Sequence, residues 1–414
     1  MAAAPDSAAI LTFEDARHLV EEHARRLRPR GKQLVGLLDS LGHVLAETVA
    51  ADRDFPPFRR AARDGYAVRA ADVQSCPVAL QIVGEIKAGA ETNNLPAIGQ
   101  GQAAAIMTGA PAPAGADAVV MVEYTQRKAQ RVEIHQPVAP DANIVPVGSE
   151  ARRGESLLTS GMRLEHSAVA IAASVGKSRL LVYSPPRIAV LATGDEVVDI
   201  DVPPGPTQIR NSNSYSLAAQ IRAAGGIPIL LPIAPDEPKR LRELIAEGLE
   251  SDLLLLAGGV SAGQYDLVEQ ALAERHAEFF FTGVQIQPGK PVVFGRVASP
   301  GGTKYFFGLP GNPVSTMVTF ELFVKAILQA LAGMTSSKLV FLRARLKSEI
   351  KTKTGLKRFL PAILSGEFEQ AEVELARWQG SGDIAALAKA NCFIVVPPDR
   401  ERIAPGEWVP VLMK

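Results

Sequence analysis

From about residue 185 to 332, apolar runs of strand length alternate with segments whose apolar residues return at helical spacing. Arg187–Ala192, Ile227–Leu231, Asp252–Leu256 and Lys304–Phe307 read as strands. Asn211 to Asn213 precede a helix through Ala224 that Gly225-Gly226 stops, a common C-terminal punctuation. Behind Asp236-Glu-Pro238, residues Leu241, Leu244, Ile245 and Leu249 recur as on one helix face. Strand, loop and helix in repetition predict a doubly wound βαβ domain.

The texture differs on either side. Thr12-Phe-Glu-Asp15 resembles a capping box with Asp for Glu, opening an amphipathic helix with Ala16, Leu19 and Val20 on its apolar side. Residues 1–9 read as a disordered tail. Between 54 and 150, short apolar runs (79–83, 103–107, 118–122, 132–135) punctuated by Gly, Pro and Asn predict an all-β module. After Ser336 the runs 339–346, 358–364, 373–377 and 392–396 predict a small β-barrel or sandwich. The expected fold class is α/β and multidomain.

Three of the central strands run into loops of glycine, hydroxyl and carboxylate residues. These are Thr193-Gly194-Asp195-Glu196, Gly258-Gly259-Val260-Ser261 with Asp266 beyond it, and Leu309-Pro310-Gly311-Asn312-Pro313-Val314-Ser315. Open parallel sheets bind ligands outside the carboxyl ends of their strands, and helix N-termini there attract anions. One pocket for a phosphate-bearing ligand is therefore expected, although neither common phosphate fingerprint is present. Gly258-Gly259 after a strand is more often only a tight turn, and the two prolines of the third loop suit a rigid connection as well as a site. Asp195, Glu196, Asp236 and Asp266 are the carboxylates nearest the strand ends, and Mg²⁺ commonly bridges such groups to substrate phosphates. Asp236 and Asp266 also read as helix caps. Glu196 has no cap role, which makes it the leading metal ligand.

Composition removes several alternatives. The formal net charge is +0, so no global field favours nucleic acid or an anionic membrane. Two cysteines and six scattered histidines supply neither a disulfide framework nor a zinc site. No apolar run approaches the roughly 20 residues that span a bilayer, and the N-terminus lacks the pattern of a signal peptide. A cytoplasmic location is expected.

Eight motifs in order carry a family resemblance: Asp64-Gly-Tyr-Ala-Val68, Met107-Thr-Gly-Ala-Pro111, Ala116-Asp-Ala-Val-Val-Met121, Thr193–Glu196, Gly258–Ser261, Pro288-Gly-Lys-Pro291, Leu309–Ser315 and Ala390-Asn-Cys-Phe-Ile-Val395. From Leu34 to Val411 the chain resembles the MoeA family, the molybdopterin molybdenumtransferases, related to the E domain of gephyrin. The resemblance implies insertion of molybdate into adenylylated molybdopterin with Mg²⁺ and release of AMP. It implies an elongated first domain (10–53 and 151–184), an inserted all-β domain (54–150), a doubly wound domain (185–335) and a C-terminal β-barrel (336–414). It further implies a homodimer whose cleft lies between the third domain of one subunit and the second of the other.

On that basis Asp64, Thr108, Asp266 and Lys290 are the expected catalytic residues. Glu196 and Asp236 are the expected metal ligands. Thr193, Gly194, Gly258, Gly259, Ser261, Pro310, Gly311, Asn312, Pro313 and Ser315 are expected to bind substrate. The chain departs from the family pattern at Arg59-Arg60-Ala61-Ala62-Arg63, at Gly283 and Gln287 where lysines are common, and at Asn211 where aspartate is common. The arginines either replace the missing charge or face solvent. Adenylylation without metal insertion and a molybdopterin-binding scaffold are the competing functions.

Overall fold

Thr12 caps the first helix, Phe13–Arg26: its Oγ1 accepts the Asp15 N–H at 3.2 Å and donates to Asp15 Oδ2 at 2.7 Å. The helix buries Phe13, Ala16, Val20, His23 and Ala24, and Leu19 is half-buried against the same core. The structure is a computed structural model and describes residues 10–258, 265–299, 302–335 and 338–414. The expected tail at 1–9 lies outside these residues.

The chain forms two compact units. One comprises Met1–Ala46, Gly161–Glu165 and Leu180–Lys414, and the other Glu47–Ser160 and His166–Arg179. The second unit extends past the expected 54–150 limits. There the short strands Val49–Ala50 and Ser156–Leu158 pair with each other and tie the flanks of the insert together.

In the first unit, Ile227–Leu230, Arg187–Ala192, Leu253–Ala257 and Gly302–Leu309 lie side by side in parallel. Val293–Ser299 and Glu278–Phe281 extend the edge antiparallel. Every residue of Leu253–Ala257 is buried, as a strand covered on both faces must be. Alternate residues feed two cores. Ile188, Val190, Leu253 and Leu255 meet the helices Ser212–Ala223 and Pro313–Leu331, while Ala189, Leu191, Leu254 and Leu256 meet Pro238–Gly248 and Tyr265–Ala273. Pro313–Leu331 is long and apolar enough to cross a bilayer, but 72% of its most apolar window is buried. It is the core helix of this sheet.

The C-terminal strands Lys357–Ser365, Glu372–Leu375, Phe341–Leu346, Trp408–Met413 and Cys392–Val396 close on themselves as a barrel. Sequence left barrel and sandwich open; the pairing of the first of these strands with the last decides it. A short helix, Ile384–Lys389, interrupts the expected run of strands, capped by Asp383, whose carboxylate accepts the Ala386 N–H at 3.0 Å.

The second unit is built on a six-stranded sheet in the order Ala118–Met121, Gly65–Val68, Gln102–Ile106, Val78–Ile86, Arg131–Ile134, Thr125–Lys128. Its two faces bury separate apolar clusters, one around Ala67, Ala104 and Val119, the other around Val68, Leu80 and Val132. The doubly wound sheet, the β module and the barrel are those that the sequence predicts.

Candidate active site

Ala192, Ala257 and Leu309 end three adjacent parallel strands in register. Beyond them lies a cavity of about 300 Å³, lined by Thr193, Glu196, Arg210, Asn211, Asn213, Gly258, Gly311, Asn312 and Pro313 among others. Described residues of all three expected loops thus meet at one place, Gly258 alone standing for the second. A larger cavity of about 580 Å³ opens at the amino ends of these strands, around Arg187 and Asp252. Asp252 there is already paired with Arg30 at 2.8 Å, and open α/β sheets carry their ligands at the other end.

The floor of the strand-end cavity requires glycine at 258. Gly258 has φ +100°, and a Cβ on it would lie 2.9 Å from the Thr193 carbonyl oxygen. A Cβ on Gly311 would touch Gly258 Cα at 3.6 Å. Backbone bonds continue the sheet one residue into the loops. Thr193 N–H donates to Ala257 O, Gly258 N–H to Leu309 O and Gly194 N–H to Ala234 O, each at 3.2 Å. These three amides are engaged within the sheet and its loops.

Two residues absent from the sequence-based set fix the third loop. Asn213 Nδ2 donates to Gly311 O at 2.7 Å. Thr316, fully buried, turns its hydroxyl to the carbonyls of Pro310 and Asn312. Pro310 and Ser315 are buried outside the cavity lining, and the Ser315 carbonyl accepts the Thr319 hydroxyl at 2.8 Å. Asn312 stands at the N-cap of the core helix without a side-chain capping bond. Neither Asn213 nor Thr316 carries a distinctive sequence signal; both act through carbonyls distant in the chain or one turn back.

Glu196 lines the cavity and Asp236 stands on the neighbouring turn, where its N–H donates to Asp195 Oδ1 at 3.0 Å. Burial, then the charges of Asp195 and Glu196, hold the Asp236 carboxyl above the ordinary carboxylate range. Among the described residues no Lys or Arg pairs with these three carboxylates. The cap of the following helix falls on Glu237, so Asp236 is not the N-cap that sequence allowed. Lys290 is exposed beside Gly289, whose Cβ would fall 2.5 Å from Thr319 Cγ2, so this loop packs on the core helix. Gly259, Ser261 and the Asp266 side chain lie outside the described residues.

In the second unit, Asp64 Oδ1 accepts the Thr108 N–H at 2.6 Å and the Thr108 hydroxyl at 2.9 Å. First the backbone bond and then the hydroxyl hold Asp64 below its usual range, as a carboxylate. Gly65 allows the close approach of the neighbouring strand, since a Cβ there would meet the Val120 carbonyl oxygen. Nearby, Arg59 approaches Asp141 at 3.6 Å and Arg60 binds Glu150 at 2.6 Å. Arg63 is exposed, with no hydrogen bond or ion pair to a described residue.

Comparison with known proteins covers both units. Residues 11–176 match the MoeA N-terminal region (domain I and II), 189–330 a probable molybdopterin binding domain, and 343–414 the MoeA C-terminal region (domain IV). A Nostoc protein named molybdopterin molybdenumtransferase is 35% identical over 389 residues, 92% of this chain and 88% of that one. A Bacillus subtilis protein of the same name is 32% identical over 407 residues, 95% and 93% of the two chains. The crystal structure of a molybdopterin biosynthesis MoeA protein from Pyrococcus horikoshii superposes with a TM-score of 0.76 at 27% identity, covering 98% of this chain and 100% of that one. The chain belongs to the MoeA family.

Proposed function

We propose that the chain is a molybdopterin molybdenumtransferase, which inserts molybdate into adenylylated molybdopterin and releases AMP. The observation that carries this reading is similarity along almost the whole chain, at 32–35% identity, to proteins named for that activity. The strand-end cavity supports it: three loops converge there on residues able to hold a polar, partly planar substrate.

Molybdate is a substrate. Mg²⁺ is the proposed cofactor, and the chemistry of the acidic residues fits it. Burial, then the nearby charges of Asp195 and Glu196, raise the Asp236 pKa, and among the described residues no Lys or Arg forms an ion pair with the three. Among the described residues no group of three or more His, Cys, Asp or Glu is placed to hold a metal ion by itself. Mg²⁺ suits that arrangement because it keeps waters and takes phosphate oxygens alongside one or two carboxylates. Glu196 and Asp236 are the proposed ligands; the bound ion would neutralise charge on the substrate phosphates. Lys290 supplies a positive charge without an ion-pair partner among the described residues. The Asp64–Thr108 pair presents a fixed carboxylate that accepts hydrogen bonds but does not donate a proton near neutral pH.

The composite cleft of a homodimer, with Asp64 and Thr108 from one subunit acting on substrate held by the other, belongs to the same proposal, as does a role for Asp266. Location in the cytoplasm is proposed as well, in keeping with two cysteines that form no disulfide. The test is AMP release from adenylylated molybdopterin on addition of molybdate and Mg²⁺. Release without molybdate, or none at all, rejects metal insertion.

A further inference from the structure

Two buried polar atoms of the strand-end cavity have no hydrogen-bond partner among the described residues: Thr193 Oγ1 and Asn213 Oδ1. Both residues line the cavity, and Thr193 is only 6% exposed. A buried polar group left unpaired is costly, of order 1–3 kcal/mol, so such atoms in a cavity wall point to a ligand that pairs them.

Their chemistry limits what that ligand can be. Asn213 is oriented by its own amide, since Nδ2 donates to Gly311 O at 2.7 Å. Its Oδ1 is therefore an acceptor and needs a donor opposite. The Thr193 hydroxyl can accept or donate. Ionised phosphate and molybdate oxygens only accept, so they cannot satisfy Asn213 Oδ1. The backbone amides of Thr193, Gly194 and Gly258, which would attract such oxygens, are used within the sheet and loops.

Shape points the same way. Gly258 and Gly311 form a floor without side chains between the two atoms. A Cβ on Gly258 would come within 3.3 Å of Thr193 Oγ1. A flat ring could lie against that floor with its edge toward Thr193 and Asn213.

We infer that Thr193 and Asn213 read the amino-bearing edge of a fused heterocycle of the substrate, and that these two residues do not themselves hold its phosphates or the oxyanion. This inference rests on the proposed function, because an adenylylated molybdopterin contains two such heterocycles. The pterin and the adenine each carry a ring amino group, so both offer the required donor.

The experiment compares ligands that differ in that group, using the full chain and equilibrium binding. One pair is AMP and IMP; the other is pterin-6-carboxylate and lumazine-6-carboxylate. The wild type is expected to prefer the amino form of one pair by roughly tenfold or more, and that pair identifies the ring. Thr193→Val should cut the preference to about twofold, Thr193→Ser should keep it, and pyrophosphate binding should be unchanged in both. Without ligand, Thr193→Val should be at least as heat-stable as the wild type, because it removes an unpaired buried hydroxyl.

No preference in either pair overturns the inference for the wild type alone. Equal weakening of pyrophosphate by Thr193→Val overturns it too, and so does a lower unfolding temperature in that variant, which would mark the hydroxyl as a structural, water-held group. These measurements do not involve metal insertion. A wild type that discriminates one pair but releases no AMP with molybdate rejects the proposed reaction and leaves the wall's role intact; the reverse result rejects only the wall.

Discussion

Thr316→Val removes one hydroxyl while keeping a β-branched side chain of similar shape. In the wild type Thr316 is 0% exposed and its hydroxyl turns to the Pro310 carbonyl, with Asn312 O at 3.0 Å beside it. Asn312 O keeps a second donor, the Thr316 N–H at 3.0 Å, and loses little. Pro310 O loses the side-chain donor that the fold brings to it. Pro310 and Pro313 have no N–H of their own, so the loop has few donors with which to compensate. A net hydrogen bond contributes about 0.5–1.5 kcal/mol, and stranding a buried acceptor raises the loss to about 1–3 kcal/mol. Helix propensities of Val and Thr are close and change this little.

The variant should therefore unfold at lower urea with an unchanged m-value, about 1–3 kcal/mol less stable. Its KM for adenylylated molybdopterin should rise more than its kcat falls, because Gly311 and Asn312 of this loop line the cavity. Thr316→Ser should recover most of both. A Thr316→Val chain within about 0.5 kcal/mol of the wild type, with the same KM, would refute the reasoning and leave the prolines alone as the loop's restraint.

Glu196→Gln should abolish Mg²⁺-dependent AMP release with little change in thermal unfolding; ordinary turnover in that variant would remove Glu196 from the site. The raised Asp236 pKa means the folded chain holds this proton more tightly than the unfolded chain. Its contribution to stability is present below the ordinary value of 3.8 and is lost as pH rises through the folded pKa. Asp236→Asn should accordingly flatten the fall in stability with pH above that value, and lessen the stabilisation by Mg²⁺; an unaltered profile would deny the carboxylate cluster. Asp64→Ala and Asp266→Ala should each be inactive alone, while mixed heterodimers regain one working cleft. No recovery after confirmed subunit exchange contradicts the composite site. With Arg59 and Arg60 engaged by Asp141 and Glu150, Arg63 is the arginine proposed to offset the lysine that the family resemblance leads one to expect at Gln287. Arg63→Ala should be better tolerated in a Gln287→Lys background, and an additive double-mutant cycle would leave Arg63 as a solvent-facing residue.

The strand ends were legible in the sequence because parallel strands buried on both faces read as continuous apolar runs, and their loops carry Gly, Asp and Asn. The antiparallel edge was not. Val293–Ser299 contains a glycine and an arginine, and it pairs with Gly302–Leu309, of which only 304–307 reads as a strand. The Thr12 cap was visible as a local spacing, whereas the Asp64–Thr108 pair joins residues 44 apart and came only from the family resemblance. Asn213 and Thr316 were missed because their partners are backbone carbonyls, which no sequence pattern marks. The engagement of the Thr193, Gly194 and Gly258 amides was not legible either, because the sheet's own hydrogen bonds extend past the apolar runs.

The most direct test of the central claim is a single-turnover measurement with purified chain, adenylylated molybdopterin and Mg²⁺, in which molybdate is added last and AMP is followed. The account predicts AMP release that begins on molybdate addition, matches the molybdenum incorporated, and disappears in Glu196→Gln. AMP released at the same rate without molybdate, or molybdenum incorporated with no AMP, would contradict it.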